Sequence, residues 1–104
     1  MSDRIQIEGM IRVIDEEIAK LPEPGKVYDR EKWDAWRAAV EDMMRRLTAT
    51  TGLLPRYRPP HDYAVRFAGI RSSSTSGWCA ALRNWQVAAR KRLEPPPAPA
   101  PAFN

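Results

Sequence analysis

The side chains able to do chemistry are few in this sequence. It has one histidine, His61, and one cysteine, Cys79, among 104 residues. Nucleophilic or acid–base catalysis needs a nucleophile, a base and an orienting group that converge. "PPHDY" favours a surface position for His61, and Cys79 lies near an apolar stripe, where cysteine commonly packs as a small hydrophobic residue. We therefore expect no enzymatic activity and no small-molecule substrate.

Ligand-binding and targeting motifs are also missing from the sequence. One histidine and one cysteine do not supply a zinc site of the usual spacing. There is no glycine-rich phosphate loop, so we expect neither a metal nor a cofactor. No apolar run approaches the roughly 20 residues that span a bilayer, and "MSDRIQIEGM" lacks a secretory layout. These features predict a cytoplasmic protein without a membrane partner.

The charge is distributed unevenly along the chain. Residues 1–51 contain nine Lys and Arg against eleven Asp and Glu, whereas residues 52–104 contain eight against two. This asymmetry favours a polyanion or an acidic protein surface as the partner of the second half, and it also promotes solubility.

The basic segment "STSGWCAALRNWQVAARKR", residues 74–92, has the spacing of an amphipathic helix. Its apolar stripe has intervals of 4, 3 and 4 and comprises Trp78, Leu82, Trp85 and Ala89. Arg83 and Arg90 lie seven positions apart on roughly the opposite face, with Lys91 nearby. We expect the tryptophans to anchor this helix and the three cations to point outward. The alternative is a solvated basic face without a function.

Two further helices are predicted in the first half. The first carries an apolar stripe at intervals of 4, 3, 4 and 3: Ile7, Ile11, Ile14, Ile18 and Leu21. Pro22 ends it. The second begins after Asp29, a good N-cap, and has the stripe Trp33, Trp36, Val40, Met43 and Leu47. The matching stripes predict an antiparallel helical hairpin with both tryptophans in its core.

The remaining segments are predicted from proline content and spacing. "LLPRYRPP" contains three prolines and is expected to run extended over the hairpin. Tyr63, Phe67 and Ile70 favour a short helix, and "PPPAPAPAFN" is typical of a polyproline II tail. We therefore predict an all-α small helical bundle of one domain, residues 1–94, with a Pro/Ala-rich tail, residues 95–104. Its four helices lie near residues 4–21, 30–50, 62–70 and 76–93. The expected core contains Ile11, Ile14, Ile18, Trp36, Val40, Leu47, Phe67, Leu82 and Trp85.

The stretch "AVRFAGIRSSSTSGWCAALRNW", residues 64–85, resembles a helix-turn-helix DNA-binding unit. Ala68, Gly69 and Ile70 match the family's turn, and "SSSTS" matches the opening of its recognition helix. Val65, Thr75 and Gly77 depart from the pattern. The resemblance implies these DNA-facing residues: Arg71, Ser72, Ser73, Ser74, Ser76 and Arg83.

Two fainter resemblances point to phage proteins. "GWCAALRNW" is similar to the Trp-rich ending of phage replication accessory and helicase-loader proteins. Small size, a helical build and the lack of catalytic groups are similar to phage-encoded inhibitors such as anti-CRISPR proteins.

Together these observations favour a non-enzymatic protein that contacts nucleic acid or a host nucleoprotein complex through its basic C-terminal half. The nucleic-acid-binding residues would be the six above with Arg90 and Lys91. The alternative is an inhibitor that docks on a host protein complex, with acidic residues imitating phosphates: Glu8, Asp15, Glu16, Glu17, Asp34, Glu41 and Asp42. A third possibility is that Pro96 and Pro99, a P-x-x-P pair, bind an SH3-like groove.

Overall fold

The computed structural model describes residues 3–24 and 29–94, which form three helices and one three-stranded antiparallel sheet. The elements are α1 (Asp3–Ala19), α2 (Arg30–Thr51), β1 (Leu54–Arg58), β2 (Asp62–Phe67), β3 (Ile70–Ser74) and α3 (Trp78–Leu93). The fold is therefore α+β, and the all-α prediction is wrong. Helices occupy three of the four predicted positions. Strands occupy the fourth.

The helix expected at residues 62–70 is a β-hairpin. Ala68 and Gly69 form its two-residue turn, both with positive φ (53° and 76°), and Phe67 pairs with Ile70 across it. Positive φ at both central residues is the geometry of a type I′ turn, which suits the twist of paired strands. Tyr63 and Phe67 fit a helical period, but with Val65 they also fit the two-residue period of a strand. The strand period prevails because the turn lets both strands place their apolar side chains on α3.

The sheet has two different faces, since neighbouring residues of a strand point to opposite sides. On the inner face, Tyr63 packs edge-on against Trp78 with ring centroids 5.1 Å apart. Phe67 packs in the same way against Trp85 at 5.8 Å. Val65 lies between them and is buried. These contacts place α3 across the inner face.

Trp85 joins α3 to the hairpin. Its side chain has no solvent exposure. The indole Nε1 donates hydrogen bonds to the carbonyl oxygens of Ile70 (3.1 Å) and Phe67 (3.3 Å), the residues that flank the turn. Asn84 adds a bond from Nδ2 to the Ser73 carbonyl oxygen (2.9 Å). The end of the hairpin is thus fixed to the middle of the helix.

The predicted core is confirmed in part. Five of its members are buried: Ile14, Val40, Leu47, Leu82 and Trp85. Four are half-buried and pack against that core: Ile11, Ile18, Trp36 and Phe67. The prediction of a helical hairpin with both tryptophans inside needs correction, because the buried residues of α2 begin only at Val40. Trp33 lies outside the core cluster, and α1 packs more closely against α3 than against α2.

Two further predictions concern the chain ends and the membrane. The proline-rich segment 95–104, with its P-x-x-P pair, lies outside the described residues. Among the helices of the described ranges, none is both long and apolar enough to cross a bilayer.

Candidate nucleic-acid interface

The outer face of the sheet carries four arginines. The register pairs Arg66 of β2 with Arg71 of β3, and it pairs Arg56 and Arg58 of β1 with Ala64 and Asp62. Because directly paired residues share a face, all of these side chains point away from α3. We call this surface the arginine face. It comprises Leu54, Arg56, Arg58, Asp62, Ala64, Arg66, Arg71 and Ser73.

The four arginines have no ionic partner within the described structure. All four are exposed, and none forms an ion pair with a described residue. Arg66 and Arg71 stand directly opposite each other, an arrangement of like charges that destabilises a sheet. An anion bound between them would remove this repulsion.

The centre of the arginine face is small and apolar. Ala64 retains only 3% of its exposure although it does not belong to the core cluster. The longer side chains that surround it on the outer face therefore cover it. Leu54 is 61% exposed beside Arg66. A shallow cavity of about 350 Å³ runs past Leu54, Arg56, Ala64, Arg66 and Arg71.

No aromatic side chain stands among the eight residues of the arginine face. Tyr57 and Tyr63 pair on the inner face, with ring centroids 4.9 Å apart. Proteins that bind single strands on a sheet stack bases on aromatic rings of the exposed face. The arginine face lacks that platform, so it suits a duplex better than unstacked bases.

The structure separates the predicted DNA-facing residues of β3 and the following turn. Arg71 and Ser73 lie on the arginine face, whereas Ser72 and Ser74 are half-buried on the inner side. Ser74 Oγ accepts a hydrogen bond from the backbone N–H of Ser76 (3.0 Å), and Ser76 is exposed just before α3.

The three predicted cations of α3 are exposed, as expected, but two of them are paired with a carboxylate. Arg83 Nη1 donates to Asp15 Oδ1 of α1 (2.5 Å), and Arg90 lies 3.9 Å from the other oxygen of the same carboxylate. Arg83 also donates to Gln86 Oε1 (2.8 Å). Arg83 and Arg90 therefore hold α1 against α3. Lys91 is exposed in the last turn, where a cation also stabilises the end of the helix.

Gln86 is the centre of this polar contact. It is 1% exposed, and its Nε2 donates to the Ile11 carbonyl oxygen and to Asp15 Oδ1, both at 2.9 Å. The hydrogen bonds from Gln86 and Arg83 lower the pKa of Asp15, aided by the positive charges of Arg83 and Arg90. The carboxylate form is thus the one that joins the two helices.

The helix-turn-helix interpretation of residues 64–85 is wrong as a structure. The segment contains most of β2, the hairpin turn, β3 and the first half of α3. Ala68 and Gly69 make a strand-to-strand turn because both adopt positive φ. Where the motif requires its first helix there is a strand, so α3 is not presented as a recognition helix.

The acidic residues proposed as phosphate mimics are mostly neutralised within the chain. Five of the seven form ion pairs: Glu8, Asp15, Glu17, Asp34 and Asp42. Glu17 Oε1 accepts a hydrogen bond from Arg46 at 2.7 Å, which lowers the pKa of Glu17. A surface of paired carboxylates is a poor imitation of a phosphate backbone.

His61 and Cys79 belong to different elements. His61 is exposed in the loop between β1 and β2. Cys79 is half-buried in the first turn of α3, and burial raises the pKa of its thiol. Within the described ranges, no three His, Cys, Asp or Glu side chains come close enough together to hold a metal ion.

Arg56, Arg58 and Arg66 were not among the residues predicted from sequence to bind nucleic acid. The signal was present in "LPRYR", where two arginines are spaced two residues apart, and in "YAVRF", where bulky apolar residues alternate with Ala64 and Arg66 at the period of a strand. The three prolines of "LLPRYRPP" directed attention away from a strand, although proline is accepted in an edge strand such as β1.

Comparison with known proteins supplies no relative: no family model, no curated protein and no solved structure matches this chain.

Proposed function

We propose that the protein binds duplex nucleic acid through the arginine face. The observation that carries this proposal is the set of four arginines on one open sheet face, all exposed and without an ionic partner among the described residues. Arg12, Arg37 and Arg92 are also exposed without an ion pair to a described residue, but they lie singly on three different helices. Four free guanidinium groups against a single aspartate, Asp62, give this face the charge that a phosphate backbone attracts.

Arginine suits this partner for two reasons. Its guanidinium stays charged at every physiological pH, and its planar fork donates paired hydrogen bonds to phosphate oxygens. Binding releases counterions from the nucleic acid, so the affinity falls with salt at a slope of about −0.9 per phosphate neutralised on duplex DNA. Three or four contacts predict a log–log slope of about −3.

The direct test is fluorescence anisotropy with a labelled duplex at several salt concentrations. The triple variant Arg56→Gln, Arg66→Gln, Arg71→Gln is expected to bind much more weakly, with the slope flattened by about 0.9 for each phosphate contact removed. Its melting temperature is expected to stay near that of the wild type, because exposed charges contribute little to folding.

A matched control distinguishes the effect of the arginine face on binding from the effect of the protein's net charge. The triple variant Arg12→Gln, Arg30→Gln, Arg45→Gln removes the same charge from exposed positions on α1 and α2. It is expected to keep most of the affinity and the salt slope. Equal losses in the two variants, or no binding by the wild type at low salt, would contradict the proposal.

A second candidate function is docking on a protein partner through the first part of α2. Trp33 and Trp36 form an edge-on pair with centroids 5.6 Å apart, on a stretch of helix without a buried residue. A cavity of about 330 Å³ lies between Trp36, Tyr63 and Trp78. A pull-down with and without nuclease distinguishes the two: a partner retained after nuclease treatment favours this candidate, and one lost favours the arginine face.

A further inference from the structure

We infer that Arg66, with Leu54 beside it, reads base edges in the major groove of B-form DNA, so that binding depends on sequence. This inference rests on the proposed function and specifies it. It assigns different tasks to the residues of the arginine face: the row Leu54–Arg66 reads bases, and the arginines outside that row contact phosphates.

The width of two strands fits this groove. Neighbouring strands are about 4.8 Å apart, so β1 and β2 form a narrow ribbon. The major groove of B-form DNA is about 12 Å wide and about 8.5 Å deep and admits a two-stranded β-ribbon, so β1 and β2 can enter it while β3 follows its edge. The major groove of A-form RNA is too deep and narrow for side chains to read. The geometry therefore selects DNA over duplex RNA.

Arg66 has the central position on this face. It belongs to the middle strand, with Leu54 opposite on β1 and Arg71 opposite on β3. The next outward residue along β2 is Ala64, whose short, buried side chain places no bulky group beside Arg66. An arginine in the middle of the groove can donate two hydrogen bonds to O6 and N7 of guanine, the commonest specific contact in protein–DNA complexes.

Leu54 supplies an apolar contact beside the polar contact made by Arg66. It is 61% exposed, and it stands beside a guanidinium rather than against the core. A large exposed aliphatic side chain within a cationic surface contributes nothing to phosphate binding. It can contact the C5-methyl group of thymine, the one apolar feature of the major groove. The row Leu54–Arg66 then favours thymine next to guanine.

Arg58 lies at the opposite end of the face. It ends the outer strand β1, two positions beyond Arg56, and its pair is Asp62 rather than another arginine. Four positions separate Arg58 from Leu54, about 13 Å along an extended strand, so Arg58 lies beyond the row that reads the bases. Arg58 is therefore expected to contribute affinity without sequence preference.

The test is selection of bound duplexes from a randomised DNA library by the full-length protein, compared with Arg66→Gln and with Arg58→Gln as the matched control. The wild type is expected to enrich a guanine beside a thymine, preferred over other bases by about 5- to 150-fold. Arg66→Gln is expected to lose the guanine preference. Arg58→Gln is expected to return the same motif with weaker binding and a slope less steep by about 0.9.

The outcomes separate this inference from the function on which it rests. Salt-dependent binding without an enriched motif would overturn base reading and leave the proposed function intact. Base reading would also be overturned if Arg66→Gln selected the same motif as the wild type, or if an RNA duplex of the selected sequence bound as tightly as the DNA. Failure to bind any nucleic acid at low salt would overturn both.

Discussion

Arginines serve two opposite purposes in this small fold. On the arginine face, Arg66 and Arg71 stand opposite each other, and no carboxylate of residues 3–24 or 29–94 forms an ion pair with them. At the α1–α3 contact, Arg83 and Arg90 share the carboxylate of Asp15. Both regions are basic in sequence and exposed, so composition alone does not distinguish them. The two regions differ in the side chain that the neighbouring element places beside the arginine, which is a carboxylate on α1 and a second arginine on the paired strand.

The comparison shows how a basic surface becomes available to a ligand. A guanidinium already bonded within its own chain must break that bond before it binds phosphate, whereas an unpaired one does not. Repulsion between Arg66 and Arg71 is a cost that folding alone does not require, since a neutral pair would serve the sheet better. A residue pattern that costs stability and gains nothing in the folded chain is typical of a binding surface.

The largest expected effect comes from truncating Trp85, because both regions depend on the packing of α3. Trp85→Ala is expected to lower the free energy of unfolding by about 3–5 kcal/mol, because it leaves a large buried cavity and leaves the hairpin carbonyls without their indole donor. Urea denaturation monitored by circular dichroism measures this loss. Both regions depend on α3, so nucleic-acid binding and the α1 contact should fail together.

Trp33→Ala is the control for this prediction, since Trp33 is half-buried and lies outside the core cluster. It is expected to cost much less. Similar losses for the two tryptophans would mean that α2 contributes more to the core than its burial pattern indicates.

The same two regions show what sequence could predict. The three long helices were predictable because each carries an apolar stripe at helical spacing, and Trp85 was correctly placed in the core. The sheet was not predicted, since Tyr63, Phe67 and Ile70 satisfy a helical period as well as a strand period. Only the positive φ values of Ala68 and Gly69 decide between them, and alanine rarely signals such a turn.

The prediction of the site depended on whether residues 62–70 form a helix or a hairpin. A helix over residues 62–70 would contain Arg66 and leave Arg71 in the following turn, so no common face would be predicted for them. Read as a hairpin, the segment aligns them with Arg56 on one face. The ionic role of Arg83 was equally hidden, because Asp15 lies 68 positions away in sequence and no local pattern joins them.

The second prediction tests the comparison directly. Arg83→Glu with Arg90→Glu is expected to destabilise the fold by about 1–3 kcal/mol, mainly because the buried Gln86 Oε1 loses its donor and two new carboxylates face Asp15. The half-exposed ion pairs themselves contribute little in solvent. The sequence alone would assign this double variant an intact fold.

The matched variant is Arg66→Glu with Arg71→Glu, the same charge change on the arginine face. It is expected to alter the free energy of unfolding by less than about 1 kcal/mol and to abolish binding to DNA. Thermal denaturation and anisotropy, measured on both variants, distinguish the two regions. A reversal, with the sheet variant unstable and the helix variant folded but unable to bind, would exchange their assigned roles.

The smallest expected effect is a loss of folding stability at acidic pH, and it follows from the charge state of Asp15. Its pKa lies below the ordinary value of 3.8 because of the Gln86 and Arg83 hydrogen bonds, and that of Glu17 lies below 4.5 because of Arg46. A group whose pKa is lower in the folded chain stabilises the fold above its unfolded pKa, and this contribution disappears as the pH falls through the folded pKa.

Urea denaturation between about pH 5 and pH 3 should therefore show a stability loss that is shallower in Asp15→Asn, which cannot lose this charge. Glu16→Gln, which removes an exposed carboxylate of α1 without an ion pair to a described residue, should retain the wild-type slope. Equal slopes in Asp15→Asn and the wild type would show that the carboxylate does not couple α1 to α3, and that Arg83 is held there by Gln86 alone.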